Sequence, residues 1–201
     1  PEAPFGARLR LLELAGEYGF LRVASFLTGE VATALATGIL DQVDFIVGTF
    51  SKALAGIGGY AVSRHDALRL LHFAARPYVF TASGSPANVA GVAAALRILR
   101  SDTTLKPRLW SNVRHIRAGL QRLGFTIGAT ESPIVPITIG TAEQAVAMWG
   151  ALLDAGLYAN IVLPPACRAD ACLLRTSYSA AHTPAQLDEA LAIFERVGRA
   201  L

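Results

Sequence analysis

Charge is scarce in this 201-residue chain: Asp, Glu, Lys and Arg make up 16% of it, against 53% apolar residues. A chain with that balance buries enough apolar surface to offset its ordering entropy, which excludes disorder and fits a globular protein with a sizeable core. Long apolar runs are lacking too. The richest stretch, Ala87 to Leu99, is interrupted by Arg97 and falls short of the ~18 uncharged residues that a membrane-spanning helix needs. No basic start with an apolar stretch and a small-residue cleavage site opens the chain, so a secretory signal is not indicated and a cytoplasmic location is expected. The first residue is Pro1 rather than Met, and the sequence reads as an excerpt of a longer polypeptide.

Cysteine occurs twice, at Cys167 and Cys172. Their spacing matches no zinc or redox pattern, so they read as ordinary thiols and no metal site is expected. Aromatic-interleaved basic patches and zinc-finger spacings are missing as well. A net charge of +3 therefore does not point to nucleic acid. There is no internal repeat and no low-complexity segment.

What is present alternates. A helix is expected from Arg8 to Tyr18, ended by Gly19, then strands at "DFIVGT" (44–49) and "GGYAVS". Asp66 to Ala75 reads as a helix, "YVFTAS" as a third extended piece, and "SPANVAGVAAALRIL" as a helix with Ser85 as N-cap and Pro86 first. From Lys106 to Leu123, Leu109, Val113, Ile116, Leu120 and Leu123 form one apolar stripe, with most of the arginines off it. Strand "IVPITIG", helix 142–156, strands "YANIVL" and "CLLRTSY" and a helix opening at "TPAQLDEAL" complete an α/β pattern. The polar stretch 100–108 suggests a boundary between a front part, 1–99, and a back part, 100–201.

Lysine is the scarcest charged residue, present only as Lys52 and Lys106 beside sixteen arginines. Lys52 follows a strand ending in Thr49 and precedes Gly56, Gly58 and Gly59. Hydroxyls at Thr49 and Ser51 with glycines behind them make a phosphate-binding environment that contains an amine. The glycines follow the lysine, which is the reverse of the phosphate-loop order and disfavours a nucleotide hydrolase. A partly desolvated amine beside a phosphate cradle suits Schiff-base chemistry on pyridoxal phosphate, and a solvated turn lysine is the plain alternative.

"DFIVGTFSKALAGIGGY" resembles the lysine segment of the α-oxoamine synthases, fold-type I pyridoxal-phosphate enzymes that condense an amino acid with an acyl thioester and release carbon dioxide. The likeness runs on through "RPYVFTAS", "LWSNVRHIRAGLQRLGF", "AVAMWGALLDAGLYANIVLPPA" and "LLRTSYSAAHT", from Asp44 to Leu201. It implies an α/β fold with part of a large cofactor domain followed by a small C-terminal α/β domain. It also implies that Lys52 carries the cofactor and moves protons at the substrate α-carbon, and that Thr49 and Ser51 bind its phosphate. Thr81 would reach the phosphate of a neighbouring subunit in a homodimer whose active site lies at the interface. Arg175 would take the substrate carboxylate, a task suited to a planar bidentate donor.

"RPYVFTAS" and "LLDAGLYAN" are most similar to the sphingolipid-forming branch, which joins L-serine to an acyl-CoA. Alternatives are the branch using alanine and a pimeloyl thioester, a synthase drawing on a carrier protein, and a non-catalytic partner subunit. The arginines of 100–122 offer charge to the phosphates of CoA or to an acidic membrane surface. His182 reads as a structural or capping residue and His65, His72 and His115 as solvent-facing.

Two departures stand out. The family's D-E-A-H-S-type strand motif, whose aspartate pairs with the pyridine nitrogen, has no counterpart: between Glu17 and Asp41 the sole carboxylate is Glu30 and histidine is absent. Where the sphingolipid-forming branch has an arginine before Pro-Pro, this chain has Leu163, which leaves Arg175 or Arg168 for the carboxylate or implies a different substrate.

Overall fold

A computed structural model describes residues 43–82, 84–129 and 132–200, together with the backbone of a strand at 23–26. The helix expected from Arg8 to Tyr18 lies outside the described residues. The chain divides into two compact units, Pro1–Ser101 and Asp102–Leu201.

The first unit holds a three-stranded sheet. Strand β1 (Val23–Phe26) runs parallel to β2 (Phe45–Thr49), and β3 (Gly59–Val62) returns antiparallel to β2 with Thr49 opposite Gly59. The β-branched and aromatic residues of "FIVGT" favour extended backbone. Three helices follow: α1 (Ala67–Ala74), α2 (Arg76–Val79) and α3 (Pro86–Ser101). At the start of α3 the Ser85 hydroxyl accepts from the Asn88 amide at 3.3 Å, with Pro86 in the first helical position, as the sequence suggests.

The expected extended piece "YVFTAS" is corrected. Its first residues close a short helix, in which the amides of Tyr78 and Val79 donate to the Ala75 carbonyl and that of Phe80 to Arg76. The extended residue is Ala75, and Pro77 falls in the first turn of α2, where its missing N–H costs nothing.

The second unit contains α4 (Leu105–Arg122), β4 (Thr126–Ile127), β5 (Ile134–Gly140), α5 (Ala142–Asp154), β6 (Asn160–Val162), β7 (Cys172–Ser177) and α6 (Pro184–Ala200). Its four strands pair antiparallel in the order β4-β5-β7-β6. Strand alternation sends Val135, Ile137, Cys172, Leu174 and Thr176 inward. Against that face pack Ile116 and Leu120 of α4, Met148 and Leu152 of α5, and Leu187, Phe194 and Val197 of α6. The expected stripe of α4 is thus the core face, and its arginines lie off it. Thr141 and Gln144 form a capping box at the start of α5, worth about 1 kcal/mol, and Thr183 and Gln186 repeat the pattern before α6.

Asn112 is buried within this core, which the apolar stripe does not predict. Its amide nitrogen donates to the carbonyls of Ser179 at 3.0 Å and His182 at 2.9 Å, so the turn before α6 is tied to α4. His182 Nδ1 accepts from the Ser179 amide at 3.2 Å, a structural bond within the turn; the cap of α6 is Thr183. Tyr178 packs edge-on against the His182 ring. Burial pushes its phenol above the ordinary value, while a hydrogen bond with Thr176 acts the other way. The raised folded value means that the contribution to stability is fully present below the unfolded value of about 10 and is lost as pH rises through the folded one. Denaturant unfolding at stepped alkaline pH should therefore show a fall in stability above about pH 10 that Tyr178→Phe reduces. Equal alkaline slopes in the two proteins would refute this.

Candidate active site

The turn from β2 to β3 is built around Thr49, Ser51 and Lys52. Because β1 and β2 are parallel, with Phe26 beside Gly48, the turn leaves from the carboxyl edge of that strand pair, where α/β sheets bind ligands. Backbone bonds close it: Phe50 donates to Gly58 at 2.9 Å, Gly56 to Phe50 at 2.9 Å and Ala55 to Lys52 at 3.0 Å. Gly58, at φ +104°, takes a conformation that disfavours a side chain.

The two hydroxyls form one unit. Thr49 Oγ1 donates to the Gly58 carbonyl at 3.2 Å and accepts from the Ser51 amide at 3.1 Å, and the Ser51 hydroxyl lies 2.8 Å from it. Both are rotors that can turn a proton outward to an anion. Lys52 is exposed, and among the described residues its side-chain amine has no hydrogen-bond or ion-pair partner.

Close packing holds this turn in shape. A Cβ on Gly59 would sit 2.7 Å from the Gly48 carbonyl oxygen, and one on Gly48 would sit 2.5 Å from the Tyr60 ring. Tyr60 in turn stacks on Phe50, with ring centroids 5.6 Å apart. A residue that sequence reasoning missed pins the far side: Asn88 of α3 accepts from the Ile57 amide at 2.9 Å and donates to its carbonyl at 2.7 Å. Only its offset of three residues from the Ser85 cap marks it in the sequence, and that offset says nothing of Ile57. Thr81 follows α2 and is exposed, its amide donating to the Tyr78 carbonyl at 3.4 Å.

The remaining sequence-predicted residue, Arg175, belongs to the second unit. It lies on β7 in the outward series with Leu173 and Ser177, opposite Pro136 of β5 and Asn160 of β6. It is exposed, and among the described residues it has no hydrogen-bond or ion-pair partner. Arg168 is committed instead: its Nε and a terminal nitrogen reach the two Asp170 oxygens at 3.0 and 2.7 Å. That pairing holds the Asp170 carboxyl below its usual range. Of the two arginines open to the carboxylate role, Arg175 is the one left available. Leu163, half-buried, precedes a cis Pro164–Pro165 bond. Among the described residues no cluster of His, Cys, Asp or Glu is arranged for a metal, and no helix is long and apolar enough to cross a membrane.

The description "Aminotransferase class I and II" matches residues 19–194. The chain belongs to that family. A curated relative, the serine palmitoyltransferase of Sphingomonas paucimobilis, is 45% identical over 168 residues, which are 83% of this chain and 40% of that protein. A serine palmitoyltransferase structure with PLP as an internal aldimine superposes with a TM-score of 0.88 at 39% identity, covering 98% of this chain and 51% of that one. The 8-amino-7-oxononanoate synthase of Francisella tularensis matches with a TM-score of 0.67 at 20% identity over 78% of this chain and 46% of its own, a likeness of fold alone. The α-oxoamine synthase resemblance and the fold-type I α/β fold expected from the sequence are borne out by this family member, and it carries part of the large domain. The chain spans about two fifths of the length of the curated relatives it matches.

Proposed function

We propose that this chain is the lysine-bearing part of a pyridoxal-phosphate enzyme that condenses L-serine with a long-chain acyl-CoA and releases carbon dioxide, as a serine palmitoyltransferase does. The observation that carries the reading is Lys52 on a hydroxyl-lined, glycine-closed turn at the carboxyl edge of β2. The residues present fit two ends of the cofactor. The paired hydroxyls of Thr49 and Ser51 suit the phosphate, and an unpaired amine suits the aldehyde. Glu30, the sole carboxylate between Glu17 and Asp41 and the only acid there for the ring nitrogen, lies outside the described residues.

When bound, the cofactor supplies an aldehyde for amines and an electron sink for charge at a substrate α-carbon. Lys52 would hold it through its amine and, as a positioned base and acid, would take and return the proton at the substrate α-carbon. Thr49 and Ser51 orient the phosphate by hydrogen bonding. Arg175 takes the amino-acid carboxylate side-on, its rigid fork fixing the substrate's orientation. Thr81 serves the phosphate of the neighbouring subunit in a homodimer. The CoA phosphates meet the arginine face of α4 at Arg108, Arg114 and Arg122; Arg117 is partly used already, donating to the Gly128 carbonyl at 2.9 Å. A cytoplasmic site of action completes the reading, and contact with an acidic membrane surface is the alternative use of that face.

Product analysis tests it. The full chain, loaded with pyridoxal phosphate, is offered L-serine, L-alanine or glycine with short and long acyl-CoAs. The expected product is the long-chain aminoketone from serine. An alanine–pimeloyl product alone would reassign the chain to the oxononanoate-forming branch. Failure to develop visible absorbance with the cofactor would favour a non-catalytic partner subunit.

A further inference from the structure

The outward face of the second unit's sheet carries a second donor beside Arg175. Register sets Asn160 of β6 opposite Arg175 of β7. Residues so opposed on one face of an antiparallel pair have Cβ atoms ~4.5–5.5 Å apart, within shared reach of one small ligand. The Asn160 carboxamide has a defined sense: the Tyr158 hydroxyl donates to its Oδ1 at 3.0 Å. Its Nδ2 is left without a partner among the described residues, as is the Arg175 guanidinium.

With the Asn160 Oδ1 engaged by Tyr158, the unpaired nitrogens of this pair are all donors. A guanidinium brings five N–H groups in a planar fork and an amide NH2 two more, and neither nitrogen accepts. The residues sharing the face, Pro136 and Thr138 of β5, Val162 of β6 and Leu173 and Ser177 of β7, include no carboxylate to neutralise it. A planar anion with two oxygens is the complementary ligand: the fork takes both oxygens and the amide caps the outer lone pair of one.

We propose that Asn160, oriented by Tyr158, is the second donor to the amino-acid carboxylate bound by Arg175, and so helps the site select amino acids over decarboxylated amines. The inference rests on the carboxylate role proposed for Arg175. Exposure of both side chains lets them be changed without opening the core.

The test compares L-serine with 2-aminoethanol, which keeps the amine and hydroxyl but lacks the carboxylate. Dissociation constants are measured by calorimetry on the cofactor-loaded full chain, with KM, kcat and melting temperature alongside. Asn160→Ala is expected to weaken L-serine about tenfold, the loss of one hydrogen bond to a charged group, with the change in KM rather than kcat and 2-aminoethanol unaffected. Asn160→Asp should be worse than alanine, because it sets one carboxylate against another. Tyr158→Phe frees the amide to rotate and should weaken L-serine about threefold, an effect that vanishes in the Asn160→Ala background. Melting temperatures should match that of the unaltered protein.

Unchanged serine binding in Asn160→Ala and Asn160→Asp, beside a clear loss in Arg175→Ala, would overturn the inference and leave Arg175 standing. Unchanged binding in Arg175→Ala would remove the reading beneath it as well. An equal loss for 2-aminoethanol would show that Asn160 shapes the strand rather than the carboxylate subsite.

Discussion

Lys52→Ala abolishes cofactor-dependent absorbance and lowers turnover by at least about 10³-fold, since one side chain supplies both the carbonyl-reactive amine and the proton carrier, and positioned proton transfer alone is worth 10²–10⁴. The composition makes this experiment clean. Lys106 is the only other lysine, and it lies on α4 in the second unit. Borohydride trapping followed by peptide mass mapping should place the label on the peptide containing Lys52. Lys106→Ala should keep the absorbance. The turn should survive loss of the lysine, because its shape is set by backbone bonds at Phe50, Gly56 and Gly58 and by Asn88, none of which uses the side-chain amine. Retained absorbance and turnover in Lys52→Ala would end the proposed chemistry.

Phe194→Ala strongly destabilises the second unit. Phe194 is 1% exposed, belongs to the cluster that joins α6 to α4, α5 and the sheet, and meets Phe125 edge-to-face at 5.6 Å. Truncating a fully buried phenylalanine costs about 3–5 kcal/mol through lost transfer energy and the cavity left behind. A domain has about 5–15 kcal/mol in total, so the loss is a large fraction of it. Urea unfolding should show the loss as a lower midpoint with an unchanged slope, and the milder Phe194→Leu should recover most of it. A loss below about 1 kcal/mol in Phe194→Ala would mean that this cluster is not what holds the unit together.

These two residues differ in how readily the sequence gives them away. Lys52 stands out by rarity and by its neighbours, since hydroxyls at Thr49 and Ser51 and the glycines beyond are local in the chain. Phe194 is one of nine phenylalanines, and only the period of its helix hints at the inward side. The positions of most strands and helices were legible for the same local reason: apolar residues recur every second or every third to fourth position according to the backbone that carries them. Where a local rule was ambiguous it failed. "YVFTAS" reads as extended, yet Tyr78 and Val79 close a short helix with Pro77 in its first turn, a place that tolerates proline as well as a strand edge does.

The sequence by itself determined the alternating α/β pattern, the stripe of α4 and the lysine turn, because each is written in spacings of a few residues. Tertiary structure alone decided that Asn88 grips Ile57, that Asn112 is buried beneath the turn before α6, that Arg168 is held by Asp170, and that Asn160 faces Arg175. Most of these pairs are far apart in the chain, and a polar side chain's partner follows from strand register and helix docking, which the whole core sets at once. An arginine reads the same in the sequence whether a carboxylate already holds it or not. The fold is what leaves Arg175 available, with a donor beside it.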